Sequence, residues 1–293
     1  MIVAVASGKG GTGKTTVTAS LASTWGRPVA AVDLDVEEPN LHLFLKPEAL
    51  REENAFLEVP TLPEPARCTA CGACVDLCQF KALSLFGQRL AIFPELCHGC
   101  EGCFRVCPTG ALVPGQRELG ELSCGRTSEG LPWLSGRLRI GEAMSPPLMN
   151  QVRARMKALV AEEGVDVLVD APPGVSCPAL AAVQDADVIL LVTEPTPFGL
   201  HDLKLAREAF KPLGRPMGVV INRAGLGDHG VHDFCRESGL PVVAEIPFSR
   251  AVAVHYAQGG VVAQMDEAMR ERFTRLGESV RTLAGSRKEA AHA

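Results

Sequence analysis

The sequence predicts an α/β protein, a doubly wound parallel sheet, with a smaller cysteine-rich α+β unit inserted. Three observations carry that prediction. Apolar runs at residues 2–6, 28–33, 165–170, 187–193, 216–222 and 241–246 are each long enough for one strand buried on both faces. Stretches with helical spacing lie between most of them, the alternation that yields parallel strands. A glycine-rich loop follows the first run directly. The 293 residues can bury a large core and leave room for a small second unit.

The loop comes first. Residues 8–15, Gly-Lys-Gly-Gly-Thr-Gly-Lys-Thr, fit G-x-x-x-x-G-K-[ST]. Gly8, Gly10, Gly11 and Gly13, with Thr12 between them, let backbone N–H groups turn inward around a polyphosphate, where larger side chains would block the approach. Lys14 is placed against the β- and γ-phosphates, and Thr15 offers a hydroxyl to Mg²⁺. A helix is predicted over residues 16–25, and its positive end, at Thr16, points at the same anion.

Lys9 adds a second lysine near the loop's start. The stretch K-G-G-T-G-K-T-T resembles the deviant P-loop of the MinD/ParA/nitrogenase-iron-protein superfamily. That resemblance implies a cytoplasmic ATPase binding ATP and Mg²⁺ in a nucleotide-sandwich dimer, either a homodimer or a heterodimer with a related ATPase. Lys9 would then reach the partner's phosphates.

The second strand ends in Asp33-Leu-Asp35, and residues 36–40 resemble the switch I stretch of the same superfamily. By resemblance Asp35 positions the attacking water and Asp33 supports the Mg²⁺ shell. Lys9, Lys14 and Asp35 are therefore the catalytic candidates. A carboxylate so near a γ-phosphate belongs there only if Mg²⁺ and lysines offset its charge.

The α/β pattern then breaks. Pro60, Pro63 and Pro65 make residues 56–66 a stiff linker. Next come two matched C-x-x-C-x-x-C-x-x-x-C runs, Cys68, Cys71, Cys74 and Cys78, then Cys97, Cys100, Cys103 and Cys107, around an alternating apolar stretch at residues 82–93. This looks like a bacterial two-cluster ferredoxin inserted whole, as residues 59–113 of a chain whose ATPase domain is residues 1–58 and 114–293. Such runs hold two [4Fe–4S] clusters, the fourth cysteine of each run serving the other cluster. One cluster would use Cys68, Cys71, Cys74 and Cys107, the other Cys78, Cys97, Cys100 and Cys103. Paired C-x-x-C motifs can also bind zinc, but two evenly matched runs favour iron–sulfur. Cys78 is followed by Gln79 where the family has proline, a departure that removes no ligand.

Residues 109–144 return the chain through short antiparallel strands, with Cys124 alone among them. A helix over residues 147–163 follows, with Leu148, Val152, Met156, Leu159 and Val160 on one face. The next strand ends in Asp170-Ala-Pro-Pro-Gly174, which resembles the superfamily's merged Walker B and switch II. Asp170 would hold Mg²⁺ through water and Gly174 would let the loop respond to the γ-phosphate. Cys177 lies three residues beyond, near the dimer seam if that geometry holds, where a redox or cluster-contact role and a small core thiol both stay open; Cys124 reads as a buried or idle thiol, and no role is read for Cys235.

A helix spans residues 199–213. After the strand at 216–222, Asn222-Arg223 resembles the base-contacting position of MinD-like ATPases, and Gly225 in place of an aspartate favours ATP over GTP. Pro247-Phe248 begins the loop that packs on adenine in that family. Helices over 249–258 and 266–283 close the chain. In the last, Met269, Phe273, Leu276, Val280 and Leu283 form a core stripe, and the tail beyond is not amphipathic.

Net charge is −5, so no general affinity for nucleic acid is expected. No run reaches the length of a membrane span, and stable membrane insertion is not expected. A switch ATPase and an electron carrier in one chain predict ATP-gated electron transfer to a redox partner protein. Two other readings remain open, a cluster-assembly or carrier ATPase of the Mrp type and a MinD-like positioning ATPase with redox-sensing clusters.

Overall fold

A computed structural model describes the backbone of residues 1–290, with side chains in that range apart from residues 49–50 and 286–290. The chain opens with β1 (Ile2–Ala6) and turns through the glycine loop into α1 (Lys14–Thr24). β2 (Val29–Asp33) and the one-turn helix α2 (His42–Leu45) follow. A long strand, β3 (Glu48–Thr61), leads into the cysteine-rich segment. That segment contains α3 (Ala73–Leu77), the hairpin β4 (Leu83–Phe86) and β5 (Arg89–Ile92), and α4 (Gly102–Val106). The chain returns along β6 (Val113–Arg126) and β7 (Pro132–Leu138). Then come α5 (Ser145–Glu163), β8 (Asp166–Asp170), α6 (Cys177–Val183), β9 (Val188–Thr193) and α7 (Pro197–Phe210). The last elements are β10 (Met217–Ala224), α8 (Gly230–Ser238), β11 (Val242–Pro247), α9 (Arg250–Ala257) and α10 (Glu267–Ala290).

Nine strands form one sheet in the order β11-β10-β9-β1-β8-β2-β7-β6-β3. Every pair from β11 to β7 is parallel; β6 runs antiparallel to both β7 and β3. β1 and the interiors of its neighbours β8 and β9 are apolar because helices cover both faces. Leu148, Val152, Leu203 and Phe210 from α5 and α7 pack on one face; Leu21 and Trp25 from the α1 end, with Phe273 and Val280 of α10, pack on the other. Because β1 lies between β8 and β9, the winding reverses beside it, and doubly wound sheets bind ligands in the crevice at such a point.

Two expectations need correction. Residues 56–66 are not a linker, since β3 continues unbroken through Thr61. Its one proline, Pro60, is tolerated because β3 is the outer edge of the sheet, where a missing N–H need not interrupt a ladder, and it pairs opposite Pro114. The return through residues 109–144 is not a set of short bridging strands either. β6 is fourteen residues long, and β7 enters the main sheet parallel to β2. A one-residue offset sits between Ala55–Gly120 and Phe56–Glu118, leaving Leu119 bulged into the core, fully buried.

The stripe on α10 packs as expected: Met269, Phe273, Leu276 and Val280 are buried and Leu283 is partly so. The expectation for the tail beyond falls largely on side chains outside the described residues. The short helices α2 and α8 had no counterpart in the sequence reading; α8 is anchored by Val231 and Cys235, one turn apart. Among the described residues no helix is long and apolar enough to cross a membrane.

Candidate functional site

The glycine loop sits at the C-terminal end of β1 and feeds α1. Gly13 caps α1 at φ 97°, and a Cβ there would come within 2.3 Å of Asn222 Nδ2. A Cβ on Gly8 would lie 2.2 Å from the Asp202 carbonyl oxygen. Gly10 and Gly11 instead face open space, so the loop is pinned at both ends and clear in the middle, where a ligand's backbone contacts would be made. Asn222 Nδ2 donates to the Thr12 carbonyl at 2.8 Å, and the buried Thr12 hydroxyl has no partner among the described residues.

Lys14 is 7% exposed. Burial lowers its pKa, and the nearby Asp170, Asp35 and Asp33 carboxylates act to restore it. Asp33 and Asp170 are register partners on β2 and β8, so two buried carboxyls stand side by side. Burial and the mutual charge push Asp33 well up. Its oxygens accept the backbone N–H groups of Asp35 at 3.0 Å and Leu41 at 2.9 Å, which shape the loop beyond β2. Burial carries Asp170 to about 6 against hydrogen bonds from the hydroxyls of Thr15 at 2.6 Å and Thr18 at 3.2 Å. Asp35, half-buried, rises to about 6 through burial, with Lys14 opposing. A divalent cation would relieve this crowding, and Mg²⁺ is commonly held by one or two carboxylates together with substrate phosphates.

These groups open onto a cavity of 440 Å³, within the range of small-ligand sites. Gly10, Gly11, Gly13, Lys14, Thr15 and Thr16 form its floor, and Asp35, Asn222, Arg223, Pro247 and Phe248 join the walls. All the sequence-selected nucleotide contacts therefore converge, apart from Gly8 and Thr12, which shape the loop from behind, and Asp33 and Asp170, buried beneath Lys14 and Thr15. Gly174 N donates to the Ser7 carbonyl at 3.0 Å, tying the loop after β8 to the glycine loop.

Lys9 points elsewhere. Its ammonium lies 3.9 Å from Glu194 and 4.0 Å from Asp202 of its own chain. Glu194 also accepts from Arg223 Nη1 at 2.6 Å, and Arg223 holds φ 55°. The sequence reading passed over Glu194 and Asp202, and over Tyr256 and Val252 of α9, which complete the cavity wall. Glu194 had a usable signal, an acid immediately after a buried strand, as Asp170 ends one; Tyr256 had none.

The eight thiols of the two runs sort into two small cavities. Cys68, Cys71, Cys74 and Cys107 line one; Cys78, Cys97, Cys100 and Cys103 line the other, with Cys74 between. Burial pushes Cys103 up to about 11. In Cys107, burial acts upward but is outweighed by the N–H groups of Leu112, Ala111 and Thr109 and the Thr109 hydroxyl, bringing it to about 7. Cys97 and Cys103 are buried, whereas Cys71 and Cys100 are exposed. His98 stacks on Phe80 at 3.5 Å beside the second cavity. Of the other three cysteines, Cys177 is exposed at the start of α6, Cys124 lies on β6, and Cys235 is buried in α8, which pushes it to about 11.

Residues 3–262 match the CobQ/CobB/MinD/ParA nucleotide binding domain. An uncharacterised protein of Methanocaldococcus jannaschii is 30% identical over 96% of this chain and 98% of its own. The septum site-determining protein MinD complexed with Mg-ADP from Pyrococcus horikoshii shares the fold at TM-score 0.58 and 22% identity, over 97% of each chain. A ferredoxin-like protein in the nif region of Sinorhizobium fredii is 35% identical over 49 residues, 17% of this chain and 77% of its own.

Proposed function

The chain belongs to the CobQ/CobB/MinD/ParA nucleotide-binding family, and from that premise we propose that it is a Mg²⁺-dependent ATPase whose nucleotide-driven pairing with a second subunit governs electron transfer through two [4Fe–4S] clusters. The observation that carries the redox half is the grouping of the eight thiols around two small cavities, one lined by Cys68, Cys71, Cys74 and Cys107, the other by Cys78, Cys97, Cys100 and Cys103, with Cys74 lining both. That crossed pattern is the one two-cluster ferredoxins use. Among the described residues no three His, Cys, Asp or Glu stand close enough to hold a single metal ion. When bound, the clusters supply one-electron chemistry.

The chain's own residues supply the rest. Lys14 and the loop amides take the phosphates, and Thr15, Asp33 and Asp170 would hold Mg²⁺. Asp35, at the cavity wall, orients the attacking water. Asn222, Arg223, Pro247 and Phe248 take the base. Lys9, parked on Glu194 and Asp202 in the single chain, leaves those acids on pairing and adds its charge to the partner's γ-phosphate, a contribution of the arginine-finger kind, worth about 10³–10⁵ in rate.

Coupling follows the strands. The Val36 carbonyl, one residue past Asp35, accepts the Leu138 N–H at 2.8 Å. β7 carries β6 and β3, and these strands carry residues 59–113, the unit proposed to hold both clusters. The burial of Cys97 and Cys103 favours retention of the clusters over their delivery to acceptor proteins.

The test is anaerobic purification followed by acceptor reduction with and without ATP. About eight irons per chain are expected. Lys14→Ala should stop ATP turnover and the nucleotide-dependent part of the reduction together. Unchanged reduction in that variant would overturn the coupling, and iron near zero in the native protein would overturn the cluster assignment.

A further inference from the structure

We propose that Arg117 sets the cluster of Cys78, Cys97, Cys100 and Cys103 at the higher potential of the two, so that a single electron given to the pair rests next to the nucleotide-binding sheet. The inference depends on the cluster reading above. Arg117 lies on β6 directly opposite Leu57 on β3. Residues opposite one another in an antiparallel pair share a face. Leu57 packs in the core with Cys97 and against Gly99, where a Cβ would meet its Cδ1 at 2.5 Å. The guanidinium and the second cysteine loop therefore occupy one side of the ribbon.

Arg117 is 8% exposed. Its Nη1 pairs with the buried Glu142, while Nε and Nη2 find no partner among the described residues. Unmet donors inside a protein are costly, and a guanidinium cannot escape by losing its proton. The sulfurs of a cluster are acceptors that would meet them. Beside the first set stands Arg67, which is exposed and donates through Nη2 to the Thr109 carbonyl at 3.0 Å. Solvent and salt screen a charge so placed.

Reduction adds one negative charge to a cluster. Burial alone makes that harder, and would leave the more enclosed second set with the lower potential. Glu142 offsets the charge of Arg117, and Glu58 and Glu101 line the same cavity, so what acts the other way is the pair of unmet N–H donors on the guanidinium, which stabilise the reduced form by hydrogen bonding. The placement of Arg117 points to that second effect prevailing.

The experiment is a dithionite titration of the anaerobic protein followed by EPR. The wave altered by Cys100→Ser identifies the second set. In the native protein that wave should be the first to reduce; if it reduces last, the proposal is overturned without any Arg117 variant. Arg117→Gln made together with Glu142→Gln strands no buried charge. It should lower the second wave by about 59 mV or more, a tenfold change in a one-electron equilibrium, and leave the first in place. Arg117→Lys, which keeps charged N–H donors, should hold most of the native value. Both waves moving together, or neither moving with iron retained, would overturn the role of Arg117 while leaving the clusters intact. A native protein with no iron would sink the cluster reading itself.

Discussion

Replacing Asp170 with asparagine should make the nucleotide-free protein more stable while ending Mg²⁺-dependent turnover. Asp170 is 2% exposed and faces the fully buried Asp33 across the β8–β2 ladder. Burial is the main reason its carboxyl rises from the usual 3.8 to about 6. At 1.36 kcal/mol per pKa unit, holding that carboxylate ionised near pH 7 costs the fold about 3 kcal/mol. An acid raised in the folded state favours folding below its unfolded value and loses that advantage as pH climbs through its folded value. The gain from asparagine is thus about 3 kcal/mol at pH 7.5 and shrinks to about 1 kcal/mol near pH 4.5. Asparagine keeps one acceptor for the Thr15 and Thr18 hydroxyls and loses the other, an offset of about 1 kcal/mol. A net gain of about 2 kcal/mol corresponds to roughly 4–8 °C in Tm for a domain of this size class. Thermal melts from pH 4.5 to 7.5, with and without Mg²⁺ and ADP, read this directly. The ligands should raise the native Tm and leave that of the variant nearly unchanged. A variant no more stable than the native chain at pH 7.5, or a gain that persists undiminished in acid, would refute the reasoning.

Three other outcomes are expected. Gly13→Ala forces a left-handed position and drives a Cβ into Asn222, so ADP binding by calorimetry should vanish while circular dichroism stays native. Asn222→Ala removes the 2.8 Å bond to the Thr12 carbonyl and should weaken ADP binding about five- to tenfold, the worth of about one hydrogen bond. Glu194→Gln removes one of the two acids facing Lys9 and should tighten ATP-dependent pairing by up to about fivefold in light scattering; weaker pairing would show that Glu194 does not restrain Lys9.

The sequence made the parallel half legible because its signals are local. A buried strand such as Val188–Thr193 is apolar at nearly every position, and the glycine loop has one conformational use. Asp33, Asp170 and Asn222 are legible through the family resemblance of their local motifs, each at or near the C-terminal end of a parallel strand. What escaped depends on distant partners. β3 reads as charged residues followed by prolines, and only its pairing with β6 makes it a strand. β7 looked like a bridge because nothing near it in sequence announces β2 as its neighbour. Arg117 carries no local signal of burial; its ion-pair partner, Glu142, lies twenty-five residues away. The same holds for Lys9, whose position is set by Glu194 and Asp202.

The closing pair of the β3–β6 ribbon has a practical consequence. Thr61 and Val113 stand opposite one another at its tip, so everything from residue 62 to residue 112 departs from and returns to a single rung. A two-residue Asn-Gly turn can bridge such a rung. Excision there should yield a shortened chain with its central sheet intact, in which nucleotide turnover can be measured in air, free of iron, and compared with that of the full-length protein.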